Sequence, residues 1–283
     1  MPALPPFSVL LPVYAGDAAE PFARSFVSVT TDQEVAPAEV VVVVDGPIGD
    51  PLRRTLDEVV AASPVPVQVV ELPANVGLGR ALNAGLEVCA HDIVARQDAD
   101  DVSLPARFAR QLPLLAEGAD LVGSAIVEFD TDPTHPGLVR RVPSSPEAIA
   151  RQARWAQPVH HPSVMYRRSV VQGVGGYEDV RYLEDYWLFA RMLQAGAVFV
   201  NIDEPLVAYR VGAGAYARRG GTRLCRSEIE LQRRFRRLGF IGRAEFARNV
   251  ALRGGYRLVP ESVRRTAYRA RVALNNRTGK GTS

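Results

Sequence analysis

Two patterns of hydrophobic positions alternate through the first half of the chain. Short apolar runs of strand character occupy Phe7 to Tyr14 (FSVLLPVY), Glu39 to Gly46 (EVVVVVDG), Pro64 to Pro73 (PVPVQVVELP) and Asp92 to Ala95. Gly, Pro and Asp punctuate them, as expected of turns. A segment of helical periodicity, residues 78–90 (LGRALNAGLEVCA), separates the last two. Strand runs that alternate with helical patterns predict an α/β fold around a sheet with parallel strands. The five consecutive valines of the second run predict a strand covered on both faces and central in that sheet.

Further along, the spacing predicts a helix over 104–118, a strand over 120–129, and a long loop or small β-excursion over 130–147, where Pro, Thr and Ser accumulate. A helix over 145–155, a short strand over 163–168 and a helix opening at Leu183-Glu184-Asp185 follow. The stretch 197–211 (AVFVNIDEPLVAYRV) reads as two short strands broken at Asp203-Glu204-Pro205. Beyond residue 220 the pattern is helical, with Leu224, Leu231, Phe235 and Leu238 on a recurring face and Gly239 as a C-cap. The chain thus divides into a body, residues 1–215, with a change of character near 130, and a helical extension over 216–283.

Composition narrows the class. With 283 residues, 47% of them hydrophobic and 23% charged, a packed globular core is expected and disorder is not. Cys89 and Cys225 are far apart and lack metal or redox spacing, which fits a reducing cytosol. No apolar window is long enough to span a bilayer and Met1 to Pro6 carries no basic leader, so a cytoplasmic chain is expected. The net charge of +3 hides an asymmetry: residues 216–283 hold 18 basic against 4 acidic residues, and the rest 16 against 27. Such an extension suits an anionic membrane surface, or is simply an arginine-rich set of solvated helix faces. Sparse aromatics and no reading motif argue against nucleic acid.

The candidate chemistry lies at predicted strand ends, where α/β sheets bind ligands. Pro12-Val13-Tyr14, Asp45-Gly46 and Asp98-Ala99-Asp100-Asp101 all fall there. Three carboxylates so close repel each other unless something cationic answers them. Their hard oxygens suit Mn²⁺ or Mg²⁺; a helix cap would employ Asp101 but leave Asp98 and Asp100 unexplained. The run Asn75-Val76-Gly77-Leu78-Gly79-Arg80 lacks the third glycine of a dinucleotide fingerprint, since Leu82 stands there. A phosphate at the following helix N-terminus, with Arg80 beside it, remains sensible. Glu184-Asp185 could be ordinary first-turn acids or, near a bound nucleotide, a general base. His161 is open to a metal, a substrate or a structural role. Arg218-Arg219 is a diphosphate clamp or a solvated linker.

Taken together, FSVLLPVY, VVVVVDG, the N-x-G-x-x-x-A-L-N-x-G run from Asn75 to Gly85, D-A-D-D and L-E-D-Y-W-L resemble glycosyltransferase family 2, the inverting enzymes of the GT-A fold. HPSVMYRRSVV, GGYEDVRYLEDYWLFARML, AYRVG and YARRGG are similar to its bacterial exopolysaccharide and O-antigen branch, amylovoran-type enzymes included. The resemblance implies a GT-A catalytic domain over 1–215, its nucleotide part about 1–130 and its acceptor part about 131–215. It implies that Pro12, Val13, Tyr14 and Asp45 hold the base of a UDP-sugar donor, that Asp98 bonds the ribose, and that Asp100, with Asp98, binds the metal. Asp101 would pair with Arg80 or stand behind the metal. Asp185 would be the base and Glu184 would orient a saccharide or lipid-linked acceptor. An ordinary aspartate is ionised at neutral pH, so no raised pKa is required. The processive members' Q-x-x-R-W motif is absent after Glu184-Asp185, which implies one sugar per encounter. Two other readings stay open: a sugar-1-phosphate nucleotidyltransferase, although Tyr14-Ala15-Gly16-Asp17-Ala18 is not its Gly-rich basic loop, and a silent nucleotide-sugar-binding protein.

Overall fold

The computed structural model describes residues 4–211 and 221–258. Its order is β1 (Phe7–Tyr14), α1 (Ala19–Val29), β2 (Glu39–Asp45), α2 (Asp50–Ala61), β3 (Val67–Glu71), α3 (Leu78–Val88), β4 (Ile93–Arg96), β5 (Val102–Ser103), α4 (Arg107–Ala116) and β6 (Leu121–Phe129). There follow β7 (Val139–Arg140), α5 (Pro146–Ala153), β8 (Met165–Arg167), α6 (Arg168–Gly173), α7 (Glu184–Gln194), β9 (Phe199–Arg210), α8 (Thr222–Arg237) and α9 (Arg243–Asn249). One sheet runs β3-β2-β1-β4-β8-β6-β9-β5, with β7 paired to β6. Strands β3, β2, β1 and β4 are mutually parallel, and β8 turns the direction by pairing antiparallel with both β4 and β6.

The valine run explains how the sheet is covered. Side chains alternate across a strand, so Val40, Val42 and Val44 enter one apolar layer with Phe22, Phe26, Leu52 and Phe108. Val41 and Val43 enter the other, with Leu82, Leu86, Leu188 and Phe189. Helices α1, α2 and α4 therefore lie on one face and α3 and α7 on the other. Both faces of β2 are sealed as expected, but the strand is second from the edge, flanked by β3. Glycine permits the tightest of these contacts: a Cβ on Gly85 of α3 would come within 2.2 Å of Leu10 and 2.7 Å of Val43.

One expectation about these elements is corrected, and two helices are new. Residues 199–210 form one strand rather than two, because β9 absorbs Asp203-Glu204-Pro205 in a bulge: Ser124 pairs with Ile202, yet the next residue, Ala125, pairs with Pro205. Asp203 and Glu204 are skipped before Pro205 and Leu206 after it, so the proline, which has no N–H to give, sits between two irregularities in the register. Helices α1 and α2 are additions. The former ends in β-branched residues that mimic a strand, and the latter buries only Leu52 and Leu56.

The described part of the helical extension is docked. Phe235 of α8 inserts between Tyr186 and Trp187 of α7, with ring centroids 5.0 and 6.1 Å away. Arg154 at the end of α5 pairs with Glu245 of α9 at 2.5 Å. No helix among the described residues is long and apolar enough to cross a membrane.

Candidate active site

A cleft of about 570 Å³ opens at the carboxyl ends of β1, β2 and β4, a size typical of small-molecule sites. Pro12, Val13 and Tyr14 line it from β1, Asp45 from β2, and Asn75 to Arg80 from the turn into α3. Asp98, Ala99 and Asp100 enter after β4, and Glu184 from the start of α7. The strand-end strings singled out in the sequence thus share one cavity. Tyr14 is 48% exposed at its wall.

Asp45 shapes the loop before α3. Its two carboxylate oxygens accept the N–H groups of Val76 at 2.7 Å and Gly77 at 3.0 Å, and its carbonyl accepts from the Asn75 side chain at 3.2 Å. Gly77 has φ +89 and serves as the N-cap, a left-handed conformation that glycine adopts freely. The clasp presents the orphan N–H groups of α3's first turn to the cleft, with exposed Arg80 beside them. Such a terminus attracts phosphate.

The acidic cluster has a buried cationic partner. Arg96, 2% exposed, ends β4 and grips both oxygens of Asp98 with its two terminal nitrogens. Burial alone would lower the Arg96 pKa, but Asp98, Tyr177 and Asp101 together raise it. Burial and the neighbouring Asp98 raise the Asp100 pKa. Asp101 is not bonded to Arg80. It is 1% exposed, accepts the Arg210 N–H at 2.8 Å through one oxygen, and leaves the other without a hydrogen bond. Asp17 is a wall residue that sequence reasoning missed. Burial, with Asp100 and Asp98 nearby, pushes its carboxyl up to about 7 against the pull of the Tyr14 N–H. Its place in the turn after β1 was the available signal.

Glu184 and Asp185 divide their positions. Glu184 faces the cleft, and burial together with Asp185 pushes it up to about 7. Asp185 stands behind the cleft wall with 14% of its side chain exposed. One oxygen accepts the Tyr186 N–H at 2.7 Å, and the other accepts from Gln157, which the sequence did not single out. Burial raises the Asp185 pKa against those bonds and the Arg96 charge, so it is not the ordinary aspartate first assumed. His161 does not line the cleft. It is 6% exposed, bonded through Nε2 to the Tyr177 hydroxyl at 2.8 Å, with Nδ1 4.0 Å from Asp185. Burial and Arg96 hold its pKa well below the usual value, so it is a neutral neighbour of the acid pair. Arg218 and Arg219 lie outside the described residues. A Cβ on Gly79 would lie 3.6 Å from Glu184 Cβ, which measures how closely α3's first turn approaches the acid pair.

Does this site suit a divalent ion? Among the described residues, no three His, Cys, Asp or Glu side chains are arranged to hold one. Asp100 nonetheless faces the cleft with a raised pKa that a cation would relieve, while Asp98 is already held by Arg96. One or two carboxylates, with substrate phosphates and water completing the shell, is the usual arrangement for Mg²⁺. The residues therefore fit an ion shared with a ligand rather than one caged by protein.

The curled, mostly parallel sheet with helices on both faces is the GT-A fold. The chain belongs to glycosyl transferase family 2, whose profile matches residues 8–175, and it is a glycosyltransferase. It is 34% identical to the amylovoran biosynthesis glycosyltransferase AmsE of Erwinia amylovora over 80% of this chain and 84% of that one. It is 33% identical to the UDP-Gal:alpha-D-GlcNAc-diphosphoundecaprenol beta-1,3-galactosyltransferase of Escherichia coli over 94% of this chain and 96% of that one. Among solved structures, the mannosyltransferase PcManGT of Pyrobaculum calidifontis, in complex with GDP-Man and Mn²⁺, superposes with a TM-score of 0.66 at 18% identity, covering 99% of this chain and 80% of that one. S. aureus TarS 1-349 in complex with UDP-GlcNAc gives 0.64 at 16% identity, covering 87% and 70%.

Proposed function

We propose that this glycosyltransferase moves a hexose from a UDP-sugar to a lipid-linked saccharide in one inverting displacement. The supporting observation is that the Asp98–Asp100 turn and Glu184, next to Asp185, share one cleft with the N-terminus of α3. Pro12, Val13 and Tyr14 would flank the base. Asp98, fixed by Arg96, would meet the ribose, and the first turn of α3 with Arg80 would meet the diphosphate. Arg218 and Arg219, outside the described residues, are candidates to clamp it. Asp100, with Asp98 at its side, would hold Mn²⁺ or Mg²⁺, which when bound offsets the charge gathering on the leaving diphosphate.

Asp185 accepts the proton of the acceptor hydroxyl as that oxygen attacks the anomeric carbon from the side opposite the diphosphate. Gln157 and the Tyr186 N–H aim its carboxylate, and Glu184 orients the acceptor. Buried neutral His161 packs behind Asp185 and serves the site without touching donor or metal. The acceptor class follows the Escherichia coli relative's printed activity. The enzyme would act from the cytoplasmic side, its arginine-rich extension resting on the anionic membrane face where such acceptors reside.

A thermal-shift panel of UDP, GDP and dTDP, each with and without Mn²⁺, tests donor and cation together. Stabilisation by UDP that requires Mn²⁺ is expected, and equal metal-free stabilisation by all three would overturn the assignment. Product analysis should show an inverted anomeric centre, whereas release of pyrophosphate would point to nucleotidyl transfer instead.

A further inference from the structure

We propose that Tyr182 is the platform on which the acceptor sugar stacks; this rests on the transferase reading above. Tyr182 is the sole non-glycine residue with positive φ, +69, among the described residues. For a bulky side chain that backbone is strained, and it persists only where the surroundings impose it. They do so here. Its neighbours Val180 and Leu183 are 3% and 6% exposed, and the Leu183 N–H bonds the Val180 carbonyl at 2.7 Å.

Upstream, Glu178 is held by Trp187 Nε1 at 2.8 Å and by Arg191 and Arg234 at 3.0 and 3.3 Å. The Tyr177 backbone is clasped at both its N–H and carbonyl by Asn83, each bond 2.8 Å. A segment tied down at both ends thus turns one large ring outward. Tyr182 is 55% exposed on the cleft wall, with the Arg181 guanidinium 5.2 Å from its ring centroid.

Position decides which substrate the ring serves. Tyr14 stands at the end of β1, among the strand ends allotted to the nucleotide, whereas Tyr182 is separated from Glu184 by Leu183 alone. A group resting on the ring would therefore lie next to the acid pair, where the attacking hydroxyl must be. A pyranose presents an apolar C–H face to an aromatic ring, and Tyr supplies a rigid, amphipathic surface with little rotamer freedom to lose. The strained backbone is the device that keeps this ring out of the core.

The test compares Tyr182→Phe, Tyr182→Ala and Tyr182→Gly in the full-length protein. Steady-state kinetics would use UDP-galactose and a short-alkyl α-N-acetylglucosaminyl diphosphate as the probe acceptor, with UDP–Mn²⁺ thermal shift as the donor readout. Tyr182→Ala and Tyr182→Gly should raise the acceptor KM about tenfold, the scale of one lost aromatic contact. Donor affinity should not change, and Tyr182→Phe should behave as wild type. Glycine tolerates the left-handed backbone, so a Tyr182→Gly variant that melts like wild type yet loses acceptor affinity separates the ring from the fold. An unchanged acceptor KM in Tyr182→Gly, or a loss that appears in UDP affinity instead, overturns the inference. A wild-type protein that neither binds UDP nor turns over the probe pair overturns the donor and acceptor proposed above, a result distinct from any change confined to the Tyr182 variants.

Discussion

At the residue scale, Asp185 and Glu184 share a burial that raises both carboxyls. For the pair to act as proposed, with Asp185 as base and Glu184 orienting the acceptor, both must be ionised, so the acid limb of kcat/KM should lie well above pH 4, towards the value of about 7 to which Glu184 is pushed, and the limb belongs to the pair. A rate profile flat down to pH 5 would contradict this. Asp185→Asn should lower kcat by about 10² to 10⁴ while the UDP–Mn²⁺ thermal shift persists.

Asp17 makes a separate prediction about stability. Its folded carboxyl holds a proton up to about 7, whereas the unfolded one releases it near its ordinary value of 3.8. The folded state then binds more protons between those values, and stability falls as pH rises through that window. Asp17→Asn removes the effect, so its melting temperature should exceed wild type at pH 7.5 and match it at pH 4; no difference at pH 7.5 would refute the burial argument. Residues carried by a local string, such as Asp98, Asp100 and Glu184, were legible in the sequence. Asp17, Arg96 and Gln157 were not, because each acquires its importance from a partner or a cavity wall that only the fold supplies.

Among elements, the strands were most legible, since a period of 2 sorts the five valines of β2 between two apolar layers. Boundaries moved where hydrogen bonding rather than hydrophobicity decides, as at Pro205, whose missing N–H looks like a break and is instead absorbed in the bulge. Helix α2 was illegible because two leucines are too few to establish a period. The packing of α3 on β1 and β2 is set by Gly85. Gly85→Ala should destabilise by about 1–3 kcal/mol through overpacking against Leu10 and Val43. At roughly 2–4 °C per kcal/mol for a large domain, differential scanning calorimetry would resolve it, and an unchanged melting temperature would mean that the layer relaxes.

At the scale of the whole molecule, the charge asymmetry between body and extension was plain in the sequence, but the docking of the extension was not. Leu231, Phe235, Phe240 and Ile241 share an apolar cluster with Tyr186, Trp187 and Leu183. Phe235→Ala should cost about 3–5 kcal/mol and lower kcat along with the melting temperature, because Phe235 packs on the helix that begins with the acid pair. Loss of stability with full turnover would show that helix to be indifferent to its support. Liposome flotation should show binding that grows with anionic lipid and fades with salt, and equal recovery on neutral vesicles would remove the membrane proposal.

The seating of Phe235 also bears on how this scaffold can be re-engineered. A chimera joined at residue 215, with the front half of one relative and the tail of another, would take Phe235 away from the Tyr186 and Trp187 rings it packs on here. Donor preference should therefore transplant with the front half alone, while acceptor exchange should succeed only when α7 and α8 travel together.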